Sequence, residues 1–213
     1  MASRKNIDTS FLPKVSAYYS EKLQQFGACA KGADWKNEES QDLRFRQLAK
    51  IIDIETAFSV NDLGCGYGAF LSFLTKEFST FDYHGVDISE PMIEQAVKLF
   101  GNTRKRSFCV GKDLEVRSDF TVASGIFNVR LSTQAAEWKR YVISVLDRMA
   151  ISSSRGFAFN VLTSYSDPDR LRENLYYADP CYYFDYCKQH YSRNVSLLHD
   201  YDLYEFTILV RNS

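Results

Sequence analysis

The chain has 213 residues, of which 45% are hydrophobic and 25% are charged, and a formal net charge of −1. This length suits one α/β core, and the near-neutral charge gives no general attraction to nucleic acid or to an anionic membrane. The sequence has no apolar run of membrane-spanning length and no signal peptide pattern, and its five scattered cysteines are typical of reduced thiols, so we expect a cytoplasmic protein.

The N-terminal residues 1–57 are predicted to be helical. Residues 18–26 show the spacing of one helix face, and a second apolar stripe runs through residues 43–52. We expect Arg44, in that second helix, to lie on a solvated face. The sequence therefore predicts a helical cap over residues 1–57 and a second, larger segment over residues 58–213, both within one structural domain.

From residue 58 onward, predicted strands and helices alternate. The strands fall at residues 58–63, 83–88, 107–110, 120–124 and 156–162, and two further strands follow at residues 195–199 and 204–210. Such alternation predicts a three-layer, Rossmann-like α/β fold with a mostly parallel sheet and helices on both faces. The gap between the last two strands is too short for a helical crossover, so they must pair antiparallel.

The first predicted strand runs into a turn with three closely spaced glycines, Asp62-Leu63-Gly64-Cys65-Gly66-Tyr67-Gly68. Glycines allow a tight backbone turn and the close approach of a ligand, and the helix that follows presents free N–H groups. Asp87 ends the next strand, where an acid can accept both hydroxyls of a ribose. Together, the turn and this acid indicate a site for a cofactor that contains adenosine.

NAD and S-adenosylmethionine both contain adenosine and are the two candidate cofactors for this site. The turn fits the pattern Gly-x-Gly-x-x-Ala through Ala69, which NAD enzymes use. Asp62, however, would crowd a pyrophosphate, whereas it suits the ammonium group of S-adenosylmethionine. The helical cap and the terminal hairpin favour S-adenosylmethionine as well, and an NAD-dependent oxidoreductase remains the alternative.

At this point the sequence resembles a known family. The glycine turn and Gly85-Val86-Asp87-Ile88-Ser89 are similar to the first two motifs of Rossmann-like, class I S-adenosylmethionine-dependent methyltransferases. The match runs from about residue 58 to the end of the chain and is most similar to small bacterial members of unassigned substrate. The resemblance implies a seven-stranded sheet in the order 3-2-1-4-5-7-6, with strand 7 antiparallel.

The resemblance also implies roles for the turn and the strand-end acid. Asp62 would lie near the methionine ammonium, and Gly64, Cys65 and Gly66 would line the cofactor's backbone. Asp87 would bind the ribose. These residues would hold the amino-acid and sugar parts of S-adenosylmethionine.

The remaining parts of the cofactor are assigned in the same way. Ile88 would pack on the adenine, and Asp113 and Leu114 would contact the adenine edge through the carboxylate and the backbone N–H. In the cap, Trp35 and Tyr19 are candidates to close over the sulfonium, where a cation–π contact contributes on the order of 1 kcal/mol.

Methyl transfer from a sulfonium to oxygen or nitrogen is an in-line displacement that depends on alignment more than on a fixed catalytic group. The acceptor is expected outside the carboxyl ends of the fourth and fifth strands, near Ser124, Phe127, Asn128, Asn160 and Thr163. Ser124 is also a candidate for binding the cofactor. Asn128, His199 and Tyr177 are weak catalytic candidates, and no residues with metal-ligand spacing are present.

The stretch between the fifth strand and the final hairpin is rich in tyrosine, and we expect it to cover the acceptor, with plain packing on the sheet as the alternative. The predicted acceptor is a small molecule or a glycan. An RNA methyltransferase is disfavoured by the charge, and a non-catalytic binding module is a further alternative.

Overall fold

The computed structural model describes residues 8–53 and 56–212, which form one sheet between two layers of helices. The sheet has seven strands in the order β3-β2-β1-β4-β5-β7-β6. Their bounds are β1 Phe58–Leu63, β2 Phe81–Asp87, β3 Arg106–Val110, β4 Ser118–Ala123, β5 Ser153–Leu162, β6 Asn194–Leu198 and β7 Glu205–Arg211. Strand β7 is antiparallel to β5 and β6, and the pairs formed by β1 to β5 are parallel, which confirms the predicted fold.

Six α-helices accompany the sheet in the described residues: α1 Leu12–Phe26, α2 Glu38–Ala49, α3 Ala69–Glu77, α4 Glu90–Phe100, α5 Ala135–Ile151 and α6 Pro180–His190. Short 3-10 helices lie at Ala30–Ala33 and Pro168–Arg170. Among the described helices, none is long and apolar enough to cross a membrane. Residues 1–7, which bear on the signal peptide prediction, lie outside the described part of the chain.

Each face of the sheet has its own hydrophobic core. Helices α3 and α4 pack on one face together with α2, which contributes Phe45, Leu48 and the following Ile51 to that core. Helices α5 and α6 pack on the opposite face. Part of the predicted cap therefore belongs to the sandwich itself, because the apolar side of α2 is buried in the same way as that of α3.

Helix α1 lies across the carboxyl ends of the strands and joins the two layers. Leu12 and Val15 belong to the core of the α5 face. On its other side, Ser16 Oγ donates to the carbonyl of Ile88 at 3.0 Å, and Ser20 Oγ lies 2.9 Å from Ser89 Oγ. Helix α1 therefore covers part of this end of the sheet.

The connection between β3 and β4 is short. Residues 111–117 contain no helix, so the α5 side of β2 and β3 is left open. A cleft lies there, whose walls include Asn61, His84, Ser107 and Cys109. This second cavity shares Val86, Gly111 and Lys112 with the main cavity beneath α1.

Candidate active site

The main cavity lies at the carboxyl ends of β1, β2 and β4, beneath α1. It contains about 980 Å³ of space between atoms, a figure that includes space open to solvent. Strand β1 lies between β2 and β4, so the connections that follow β1 and β4 run in opposite directions across the sheet. Most of the predicted cofactor-binding residues line this cavity, namely Tyr19, Trp35, Asp62, Gly64, Cys65, Gly66, Asp87, Ile88 and Ser124.

The glycine turn forms the floor of the cavity because its backbone takes up conformations that other residues disfavour. Gly64 has φ 78° and Gly66 has φ 54°, both in the left-handed region. A Cβ atom at Gly64 would lie 2.0 Å from Cγ2 of Ile126, another residue of the cavity wall. The turn therefore leaves no room for a side chain at position 64, and the backbone itself faces the cavity.

Asp87 fixes the geometry between the turn and the second strand. Its Oδ2 accepts from the backbone N–H of Gly66 at 2.8 Å, and its Oδ1 accepts from that of Ser89 at 2.8 Å. Burial raises the pKa of Asp87, while these two N–H groups act against the shift. Each carboxylate oxygen can accept a further hydrogen bond, so the group is able to bind a diol in the cavity.

Asp62 is a second acid of the cavity and is only 2% exposed. Its Oδ2 accepts from the Tyr83 hydroxyl at 2.6 Å, and no basic side chain of the described residues forms a salt bridge with it. Burial raises the pKa of Asp62 to about 7; the Tyr83 hydrogen bond opposes this shift, and the nearby charge of Asp87 adds to it. A buried carboxylate without a positive partner favours a cationic ligand group.

Neutral and mostly aromatic side chains line another part of the cavity. They are Trp35, Gln41, Phe45, Tyr67 and Phe70, of which sequence reasoning had selected Trp35 alone. The Tyr67 hydroxyl donates to Gln41 Oε1 at 3.3 Å, and burial raises the pKa of Tyr67 to about 12, so the phenol stays neutral. The sequence does carry a signal for Gln41, because it lies four residues before Phe45 and therefore on the same, buried face of α2.

Asp113 and Leu114 line the second cavity and not this one, and their contact with the adenine edge remains a prediction. The Asp113 carboxylate is 55% exposed and accepts from Arg148 Nη1 at 2.7 Å. Leu114 packs against the core of the α5 face. Because the short β3–β4 connection turns toward α5, Gly111 and Lys112 line the cavity in their place.

The three catalytic candidates also lie outside the cavity. Asn128 Oδ1 accepts from the backbone N–H of Leu162 at 3.2 Å and thereby fixes a loop. The His199 ring packs 5.9 Å from that of Tyr165, and the Tyr177 hydroxyl donates to the carbonyl of Arg170. Each side chain is occupied by local packing or by a backbone hydrogen bond.

The tyrosine-rich stretch does not cover the cavity, which corrects a further prediction. Tyr183, on α6, belongs to the core beneath the sheet, and its hydroxyl lies 3.0 Å from that of Tyr176. Tyr186 stacks on His190, also on α6, with 4.0 Å between ring centroids. These tyrosines pack α6 on the sheet, because their rings supply the apolar area that this helix buries.

Arg44 is a last correction, since it is buried and not solvated. It is 9% exposed, and its Nε donates to Glu205 Oε2 at 2.8 Å. Glu205 is fully buried and lies 161 residues away in the chain. Nothing near Arg44 in the sequence indicates this distant partner.

Comparison with known proteins identifies the family. A model described as a methyltransferase domain matches residues 61–151. The Mycobacterium tuberculosis protein Rv1506c, which is named as a methyltransferase by provisional assignment, is 48% identical over 164 residues, covering 77% of this chain and 99% of the relative.

Solved structures share the fold at low identity. Magnesium protoporphyrin IX methyltransferase from Synechocystis PCC 6803, with bound SAM, has a TM-score of 0.65 and 13% identity, covering 98% of this chain and 100% of its own. Human N-acetylserotonin methyltransferase, in complex with SAM, has a TM-score of 0.57 and 16% identity, and the match covers 96% of this chain and 66% of the human chain. With this relative, this domain and this arrangement of strands, the chain belongs to the methyltransferase family and has its Rossmann-like fold.

Proposed function

We propose that the chain is an S-adenosylmethionine-dependent methyltransferase that acts on an oxygen or nitrogen of a small organic acceptor. The observation that carries this proposal is the pair of acids in the cavity, Asp62 and Asp87. Asp62 is a buried carboxylate without a basic partner in the described chain, and Asp87 is placed to accept from a diol. S-adenosylmethionine carries both an ammonium group and a ribose, so it satisfies the two acids at once.

The same charges argue against NAD. A pyrophosphate would carry negative charge into a cavity that already contains two carboxylates. Among the described residues of the cavity wall, Lys112 is the one basic side chain, and it lies at the end of β3, away from the glycine turn. The two similar solved structures contain bound SAM, which is consistent with this choice.

The chain's own residues would bind and orient the cofactor. Asp62 would accept from its ammonium group, the backbone at Gly64 and Gly66 would lie along its amino-acid part, and Asp87 would accept from the ribose hydroxyls. Ile88 would pack against the adenine. The cofactor would supply the activated methyl group, and α1 would cover one side of it.

The acceptor is proposed from the neutral part of the wall. Trp35, Phe45 and Phe70 present rings, while Gln41 and Tyr67 offer an amide and a phenol for hydrogen bonding. Such a surface suits a small, uncharged organic acceptor and gives no basic groove for an RNA backbone. By their names, the two similar enzymes act on magnesium protoporphyrin IX and on N-acetylserotonin, which are also small organic compounds.

Calorimetry with S-adenosylhomocysteine and with NAD tests the proposal. We expect the purified protein to bind S-adenosylhomocysteine and not NAD, and we expect Asp62→Asn to weaken that binding. Asp82→Asn is the matched control, because Asp82 lies on β2 outside both cavities and should leave the affinity unchanged. Binding of NAD alone, or equal affinities for the wild type and Asp62→Asn, would overturn the proposal.

A further inference from the structure

A closed ring of contacts connects the cavity wall to the C-terminal hairpin. Its members are Trp35, Arg44 on α2, Glu205 at the start of β7, Asn160 on β5, and Gly125 just after β4. Trp35 and Gly125 line the cavity, whereas the other three are buried behind it. We refer to these five residues as the Arg44 ring, and no sequence motif connects them.

The polar half of the Arg44 ring is a chain of three hydrogen bonds. Arg44 Nε donates to Glu205 Oε2 at 2.8 Å, and Asn160 Nδ2 donates to Glu205 Oε1 at 3.4 Å. Asn160 Oδ1 in turn accepts from the backbone N–H of Gly125 at 2.7 Å. The position of the loop after β4 is therefore tied to the guanidinium on α2.

The aromatic half closes the ring. The Arg44 guanidinium carbon lies 4.1 Å from the centroid of the Trp35 ring, within the range of a cation–π contact. The far edge of the indole meets Gly125, where a Cβ atom would lie 2.5 Å from Trp35 Cη2. The guanidinium thus contacts the indole of Trp35 directly. It is also connected to Gly125, through Glu205 and Asn160.

Burying the polar groups of the Arg44 ring costs free energy that a purely structural contact would avoid. Glu205 and Asn160 are both fully buried. Removing the Arg44–Glu205 charge pair from water costs free energy that apolar residues of the same volume would avoid. A planar guanidinium, however, can stack on an indole and bind a carboxylate in one fixed geometry, which apolar groups or lysine do not reproduce.

We propose that Arg44 is a positioning residue that holds Trp35 against Gly125 and so fixes the wall of the cavity beside which the acceptor binds. This inference rests on the proposed methyltransferase function. Methyl transfer requires the acceptor, the methyl carbon and the sulfur to be in line, so a displaced wall would lower the rate without removing any catalytic residue.

The fluorescence of Trp35 reports on this wall without a known acceptor. The chain has two tryptophans, and the other, Trp138, is fully buried. Subtracting the signal of Trp35→Phe therefore isolates Trp35. In Arg44→Lys we expect the acrylamide quenching constant of Trp35 to rise about two- to fivefold, which is the change that corresponds to losing one cation–π contact. Arg46→Lys, on the exposed side of α2, is the matched control and should change nothing.

A second variant separates positioning from stability. Arg44→Met combined with Glu205→Leu replaces the pair by apolar side chains and should keep a melting temperature near that of the wild type. If Trp35 is also more accessible in this folded protein, the positioning role is supported even where Arg44→Lys fails to fold. Wild-type quenching of Trp35 in either folded variant would overturn the inference.

Binding of S-adenosylhomocysteine tests the proposed function separately from the role of Arg44. Saturating S-adenosylhomocysteine should further protect Trp35 in the wild type. A wild type that fails to bind S-adenosylhomocysteine contradicts the proposed function, whereas the quenching comparison in the free protein tests the role of Arg44 independently.

Discussion

Two regions of the chain carry residue types typical of binding sites, and the structure uses them differently. The unit from β1 through β2 brings its glycines and Asp87 to the cavity, whereas the tyrosine-rich region between β5 and β6 packs on the sheet. The first region acts through backbone conformation, which the order of residues fixes locally. The second was selected by composition, and a tyrosine ring serves a core as well as a pocket. A site is thus more safely inferred from a required backbone geometry than from an enrichment of side chains.

The largest expected effect comes from a substitution in the glycine turn of the first region. Gly64→Ala should weaken S-adenosylhomocysteine binding about a hundredfold in calorimetry, because the new methyl group would be forced into Ile126 from a left-handed backbone. Gly101→Ala is the matched control, since Gly101 also has a positive φ but has nothing within 4 Å of its Cβ position. Similar affinities for the two variants would show that the turn tolerates a side chain.

Asp87→Ala should cost about 2 kcal/mol of binding free energy, or about thirtyfold in affinity, because charge-assisted hydrogen bonds are lost. Asp82→Ala, on the same strand and outside the cavity, should bind as the wild type does. Unchanged binding by Asp87→Ala would remove this acid from the site.

The pH dependence of binding sharpens the role of Asp62. Its pKa of about 7 means that the carboxylate form, which attracts an ammonium, grows in as pH rises through neutrality. We expect S-adenosylhomocysteine affinity to increase about tenfold from pH 6 to pH 8. Tyr83→Phe removes the hydrogen bond that lowers this pKa and should move the rise to higher pH.

The stability of the free protein should show the opposite sign. Because the pKa of Asp62 is raised in the folded state, its contribution to the free energy of unfolding is present below the usual range of an aspartate. That contribution is lost as pH rises through about 7. A flat binding curve in calorimetry from pH 6 to pH 8 would contradict the expected rise in affinity. Denaturant titrations that show no loss of stability up to pH 8 would contradict the expected change in stability.

The smallest effect on binding belongs to the tyrosine-rich region. Tyr183→Phe should leave S-adenosylhomocysteine affinity unchanged but lower the free energy of unfolding by about 1 kcal/mol, because the buried Tyr176 hydroxyl loses its partner. Denaturant titration measures this loss. Tyr165→Phe, at a side chain that is 68% exposed, should change neither quantity. Weaker cofactor binding by Tyr183→Phe would return the tyrosines to the site.

The sequence predicted the fold and much of the proposed cofactor end because local rules govern both. β1 has the predicted bounds, and the terminal hairpin is antiparallel. The roles of the cofactor residues in binding remain predictions.

The features that were missed depend on contacts across the chain. Arg44 looked solvated because its partner Glu205 is 161 residues away. Asp113 pairs with Arg148, which lies 35 residues away in the chain. Neither the reach of a loop nor a distant ion pair is encoded in a local pattern.

The open connection between β3 and β4 has a practical consequence. The main cavity meets the second cleft at Val86, Gly111 and Lys112, and no helix in residues 111–117 closes off that side. A purine held against Ile88 would therefore have its edge toward this second cleft. Nucleoside analogues carrying a dye or a resin linker at that edge are thus the natural reagents for capturing this enzyme.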